Sequence, residues 1–289
     1  MGNKQQKKDC QSNQEYITDI TDLQKSSLSS HTKLKIDFKK KIFSENNIQD
    51  EQILKLSQAL SNCTNLSILE LDIWQRNKQN EALKNKIYIY NITRNNTITA
   101  RGLQDLGNAL MSCSKISNLN INLSYNPIGD QGILALGQAL VKLTNLSILN
   151  LDLFCVNIWD QGVQVLISDI SKCVQLQTLK LDMFNNNISD QGLIFLGFGL
   201  AQCTNLLVLK LHIGYDNIEN EGALGLAKGL ESCLKLSNLD LEVGLASATQ
   251  SQKRLRSKNN NPCNSNADCR FGQRCIEPKS GFKFCVGIV

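Results

Sequence analysis

Proline is almost missing from this chain, at 3 of 289 residues, and glycine is held to 18; collagenous and proline-rich architectures are excluded. Histidine is scarcer still, with only His31 and His212, so imidazole catalysis has few candidates. No stretch approaches the roughly 20 apolar residues that a membrane-spanning helix requires. The phosphate loop GxxxxGKS/T, the zinc helix HExxH and the nucleophile elbow GxSxG are all lacking. Gly197-Phe198-Gly199 wants the third glycine of a dinucleotide fingerprint and falls inside a helical pattern. The opening MGNKQQKKDC is hydrophilic and has no apolar segment of the kind a secretory signal carries.

What is there is enough to build a core. Hydrophobic residues make up 42% and charged residues 20%, which argues against wholesale disorder. The charge is uneven. Of the formal +5, residues 253–289 contribute +6 and residues 1–10 contribute +2, which leaves −3 for residues 11–252. A near-neutral to acidic body lacks the concentrated basic face that nucleic-acid binding needs.

Self-comparison decides the organisation. IGDQG at Ile128, IWDQG at Ile158, ISDQG at Ile188 and IENEG at Ile218 recur every 30 residues, and ITARG at Ile98 extends the series backwards. Cys113, Leu143, Cys173, Cys203 and Cys233 keep the same step, as do Leu119, Leu149, Leu179, Leu209 and Leu239. Each unit opens with alternation (Leu149, Leu151, Leu153 around Asn150 and Asp152), the mark of a short strand. Each continues with apolar residues at helical spacing, as in Leu193, Leu196 and Leu200. Asp130, Asp160, Asp190 and Asn220 stand where a side chain can cap the helix start. Gly137 and Gly197 are expected to let neighbouring helices approach closely. One unit cannot bury its own apolar face, whereas stacked copies share a continuous core.

The pattern LxxLxL followed by NxIxDxGxxxLxxxL resembles the leucine-rich repeat family, in its ribonuclease-inhibitor-like subclass, over residues 30–245. The resemblance implies an α/β solenoid, a horseshoe with a parallel inner sheet of about seven strands and outer helices. It also implies an asparagine ladder between strand and helix, matched by Asn96, Asn126 and Asn186 and interrupted at Val156 and Asp216. Around this domain lie a polar arm at 1–29, a basic linker or capping segment at 246–261 and a cysteine-rich tail at 262–289. An insertion is expected around Gln75 to Arg94.

Successive strand residues face opposite sides, so those between the leucines form an exposed inner wall. One column reads Asp37, Asp72, Asn122, Asp152, Asp182, His212, Glu242; its neighbour reads Trp74, Ser124, Phe154, Phe184, Gly214. Aromatics flanked by fixed carboxylates suit an interface anchor. Asp72, Trp74, Asp152, Phe154, Asp182, Phe184 and His212 are therefore the candidate partner-binding residues, for another protein with a basic surface. The alternative is that the aromatics pack beneath the loops, in which case they would be buried. No catalytic residue and no cofactor is expected.

The five repeat-position cysteines (Cys63, Cys113, Cys173, Cys203, Cys233) read as buried structural thiols, since Leu143 replaces them. Cys263, Cys269, Cys275 and Cys285 crowd the tail as a candidate disulfide or metal set, with three pairings open, or as a reduced appendage. Gly2 and Cys10 beside Lys4, Lys7 and Lys8 offer lipidation and weak peripheral membrane association, although Gln6 stands where the myristoylation pattern wants Ser or Thr. The resulting expectation is a cytoplasmic, non-enzymatic protein-binding scaffold, or one peripheral at the inner membrane leaflet. The alternatives are a regulator of a small GTPase, as in one branch of the resembled subclass, and an extracellular recognition protein with a disulfide tail.

Overall fold

The computed structural model describes residues 14–17, 31–37, 48–73, 97–214, 218–244, 254–258, 273–276 and 284–287. Nine strands form one sheet in chain order: β1 (Gln14–Ile17), β2 (Lys33–Asp37), β3 (Ile68–Asp72), β4 (Asn118–Asn122), β5 (Ile148–Asp152), β6 (Thr178–Asp182), β7 (Val208–Ile213), β8 (Asn238–Gly244) and β9 (Arg254–Lys258). The first eight are parallel, and β9 closes the far edge antiparallel to β8. Six helices alternate with them: α1 (Asp50–Leu60), α2 (Ala100–Ser112), α3 (Gly129–Lys142), α4 (Asp160–Ile170), α5 (Asp190–Gln202) and α6 (Asn220–Leu230). A separate antiparallel pair joins β10 (Gln273–Ile276) to β11 (Phe284–Gly287).

This is the leucine-rich-repeat solenoid that the periodicity requires. Strands β2–β8 and helices α1–α6 are the seven strands and six helices read from the repeat. The register is unbroken: Leu69, Leu119, Leu149, Leu179, Leu209 and Leu239 are direct partners in successive strands. Their side chains, with Ile133, Leu166, Leu196 and Leu226 from the helices, belong to one continuous buried cluster running from Leu34 to Val243. Two further strands of the same sheet lie outside that count: β1, within the polar arm, and β9, within the basic segment.

The helix starts differ from expectation. At α5 the capping side chain is Ser189, which accepts from the Gln191 N–H, and at α2 it is Thr99, which accepts from the Arg101 N–H. The repeat aspartates instead bond forward into the next unit. Asp130 Oδ1 accepts from the Trp159 N–H at 2.8 Å, Asp160 Oδ1 from Ser189 at 2.8 Å, and Asp190 Oδ1 from Glu219 at 2.7 Å. Asp50 does the same for Thr99 at 2.8 Å, across the insertion. A Cβ on Gly162 would collide with the Asp130 carboxylate, one on Gly192 with that of Asp160, and one on Gly222 with that of Asp190. At Gly162, Gly192 and Gly222 the repeat glycine is thus the space into which the preceding repeat's aspartate reaches.

The asparagine ladder is present where its residues are described. Asn186 Nδ2 donates to the Leu153 and Met183 carbonyls, each at 2.9 Å, while its Oδ1 accepts from the N–H groups of Val156 and Ile158, each at 3.1 Å. Buried Val156 breaks the ladder's own position, yet its N–H is still satisfied from the next repeat. Asn126 donates to the Leu123 carbonyl at 2.9 Å. Asn96, Asp216 and the insertion lie outside the described residues. Gly197 admits the backbone of α6, because its Cβ would lie 2.6 Å from the Gly225 carbonyl oxygen. Gly137 serves a different neighbour: it makes room for the Asp169 carboxylate of α4 rather than for a helix backbone.

Candidate functional site

Register assembles the predicted column as a row across the sheet. Asp37, Asp72, Asn122, Asp152, Asp182, His212 and Glu242 are consecutive partners on β2 to β8. Adjacent members are about 4.8 Å apart, since that is the spacing of paired strands. Each of the central residues also closes a local turn at its strand's end. Asn122 Oδ1 accepts from the Ser124 N–H at 3.1 Å, Asp152 Oδ1 from Phe154 at 3.2 Å, and Asp182 Oδ1 from Phe184 at 3.1 Å. One oxygen of each side chain therefore holds the backbone in a bond of the Asx-turn type. Asp152 Oδ1 additionally accepts from the Ser124 hydroxyl at 2.5 Å.

The second oxygens face other company. Asp182 Oδ2 lies 3.5 Å from His212 Nδ1. That hydrogen bond raises the His212 pKa above its ordinary value against the opposing effect of partial burial, and the carboxylates of Asp182, Asp240 and Glu242 add to it. Asp152 is shifted upwards too, chiefly because burial disfavours its charged form; Asp182 and Asp72 reinforce this, while the bonds from Ser124 and Phe154 oppose it.

The aromatic column sits just past the strand ends. Phe154 and Phe184 are half-buried, and their rings stack with centroids 6.3 Å apart and planes within 7°. Tyr125 joins them, its ring 5.0 Å from Phe154 and tilted by 49°. At the other end a Cβ on Gly214 would lie 2.5 Å from the Phe184 ring, so that glycine is the floor on which the ring rests. Ser124 is buried. The rings are thus neither fully exposed nor covered: each supports its neighbour and leaves part of its surface to solvent. Behind them the chain turns through left-handed conformations at Tyr125, Cys155 and Asn185, with φ of 62°, 54° and 58°.

A third row escaped the sequence reading. Two residues before the acidic row, and on the same face, Lys35, Glu70, Asn120, Asn150, Lys180, Lys210 and Asp240 are partners in register. The inner wall is therefore of mixed charge rather than carboxylate-rich. Within this row Lys35 pairs with Glu70 at 2.6 Å and Lys210 with Asp240 at 3.3 Å. A hollow of about 210 Å³ lies between the two rows, bordered by Asn120, Asn150, Asp152, Lys180, Asp182, Lys210 and His212. The signal was the same alternation, carried two positions earlier along each strand.

Trp74, Gly2, Cys10, Cys263 and Cys269 lie outside the described residues. For Cys275 and Cys285 the structure describes the strand register, which sets them directly opposite one another. Cys63, Cys113, Cys173, Cys203 and Cys233 are buried thiols. They are more than space-fillers. Cys113, Cys173 and Cys233 donate to the helix-end carbonyls of Leu60, Leu140 and Leu200 in the preceding repeat, at 3.4, 3.5 and 3.3 Å. Among the described residues no helix is long and apolar enough to cross a membrane.

No protein-family model matches the chain, and no curated protein matches it. Among solved structures it is similar to an internalin from Listeria monocytogenes, at 19% identity over 65% of this chain and 63% of that one, with a TM-score of 0.27. It is also similar to a plant peptide hormone receptor solved in complex with its peptide, at 15% identity over 73% of this chain and 44% of that one, with a TM-score of 0.18. The chain spans under two thirds of either protein's length. The class, a leucine-rich-repeat solenoid, rests on the register, the asparagine and aspartate ladders and the shared core.

Proposed function

We propose that this chain is a non-enzymatic leucine-rich-repeat scaffold of the ribonuclease-inhibitor-like type, acting in the cytoplasm and holding another protein against its inner wall. Helices of 11 to 14 residues in every described repeat support the subclass. The observation that carries the binding reading is the coincidence of three rows on one face: the carboxylates of Asp152 and Asp182, the stacked Phe154 and Phe184, and the lysine-bearing row beside them. Half-exposed stacked aromatics contribute apolar contact area at small entropic cost, and flanking charges select the partner. Asp72 and His212 extend the same strip, and the sequence pattern assigns Trp74 to it. Peripheral membrane association through Gly2 and Cys10 would be an addition to this role.

Affinity purification with the intact chain and with a Phe154→Ala, Phe184→Ala variant tests the reading. Loss of the captured partner from the variant, with its melting transition retained, is the expected result. An unchanged set of partners overturns it.

A second reading, an extracellular recognition protein with a disulfide-bonded tail, is favoured by one observation. Cys275 and Cys285 are opposed across the antiparallel pair, at a backbone spacing that a disulfide spans. Mass spectrometry of the unreduced chain separates the two: a Cys275–Cys285 crosslinked peptide supports the second reading, and free thiols remove it.

A further inference from the structure

We infer that the inner wall recognises an extended peptide segment in which a basic residue is flanked, two positions to either side, by an acidic residue on one side and an aromatic residue on the other. This rests on the concave-face reading and specifies its ligand. Along β5 and β6 the three rows follow one another in a fixed order: Asn150 or Lys180, then Asp152 or Asp182, then Phe154 or Phe184. Residues two apart on a strand are about 6.8 Å apart, and an extended ligand has the same two-residue repeat. A ligand lying along the strands therefore presents alternate side chains to a cation, an anion and an aromatic ring in succession.

The charges available for this are identifiable. Lys180 is exposed and makes no ion pair among the described residues, whereas Lys210 is engaged by Asp240. Asp152 commits Oδ1 to Ser124 and Phe154. Lys180 and Asp152 sit diagonally on neighbouring strands, about 7–8 Å apart at the backbone. Between them, the Asn150 side-chain oxygen is buried and has no hydrogen-bond partner among the described residues. Buried acceptors are almost always paired, and because Asn150 borders the hollow, a turn of its side chain would offer this oxygen to a donor on the ligand.

The probes are synthetic pentapeptides with blocked ends: Glu-Ser-Arg-Ser-Phe and its reverse Phe-Ser-Arg-Ser-Glu, against the charge-exchanged Arg-Ser-Glu-Ser-Phe and Phe-Ser-Glu-Ser-Arg. Binding to the full chain is followed by fluorescence anisotropy. One of the first two is expected to bind about tenfold tighter than its exchanged counterpart, the order of effect of two half-exposed charge pairs. Lys180→Glu, a surface change that leaves the fold intact, should abolish or reverse that preference. Equal binding of both charge orders, no measurable binding of any probe, or a preference unaltered by Lys180→Glu each overturns the inference. If charge order proves irrelevant while Phe154→Ala, Phe184→Ala still loses the captured partner, this inference falls and the concave-face reading stands; if neither matters, both fall.

Discussion

Asp152 carries two roles that oppose one another. Its Oδ1 closes the turn at the end of β5, while burial penalises its charge. A carboxyl whose folded pKa is raised contributes stability that is present below its unfolded value of about 3.9 and lost as pH rises through the folded one. Asp152→Asn keeps the acceptor and discards the charge, as Asn122 does naturally one repeat earlier. It should raise the melting temperature at pH 7 relative to wild type, with the difference closing on acidification. A lower midpoint at neutral pH would show that the charge is not the cost. His212 gives the complementary case. Its raised pKa means its interaction with Asp182 stabilises fully below about pH 6.5 and fades as pH climbs through the folded value. Urea midpoints measured from about pH 6 to 8.5 should fall more steeply for wild type than for His212→Gln, and parallel curves would dismiss the coupling. The row that holds both residues was legible in the sequence, because a period of two and a period of thirty together determine which side chains align. Lys180 and Lys210 obey the same rule, but a solvent-facing lysine on a strand looks like any other surface charge until its neighbours are in place.

Between elements, the DxG motif is one contact seen twice. The aspartate of one repeat bonds the entering backbone of the next, and the next repeat's glycine leaves it room. Ala100 tests this within the molecule. It replaces the aspartate, and what then lies against Gly132 is the Ala100 backbone and the Ile128 side chain instead of a carboxylate. Gly162→Ala forces its Cβ into the Asp130 carboxylate, whose Cγ would be only 2.9 Å away, and also crowds Ile158. The cost is expected to be about 1–3 kcal/mol by chemical denaturation, as for other overpacked sites. In an Asp130→Ala background the same change should cost less, though not nothing, since Ile158 remains. Strict additivity in that cycle would separate the two residues energetically. The motif's recurrence was plain from the sequence; its direction was not. An aspartate at a helix start ordinarily serves its own helix. Only the stacking distance makes the next repeat's N–H the nearer donor.

Over the whole array, stability is a sum of repeats and of the interfaces between them, so opening can be local and can begin at an end. The cysteine column is a built-in reporter of this. Burial pushes Cys113 and Cys203 up to about 12, and Cys173 and Cys233 up to about 11. Such thiols are almost wholly protonated at pH 8 and are shielded as well, so alkylation requires the repeat to open. Cys155, only partly buried in the loop beside Phe154, stands outside the column. Under native conditions Cys155 should therefore label first among the cysteines with described side chains. The column should follow at rates set by local opening. Cys173, whose strand β6 lies two strands in from β8 and whose helix has α3 and α5 on either side, should be slower than Cys233, whose repeat has only the closing strand β9 beyond it. Peptide-resolved mass spectrometry after pulsed alkylation measures each site separately. A graded order along the chain means the tandem interfaces carry the stability; simultaneous labelling of all five means the solenoid opens as a single cooperative unit, with β9 holding its end as firmly as its middle.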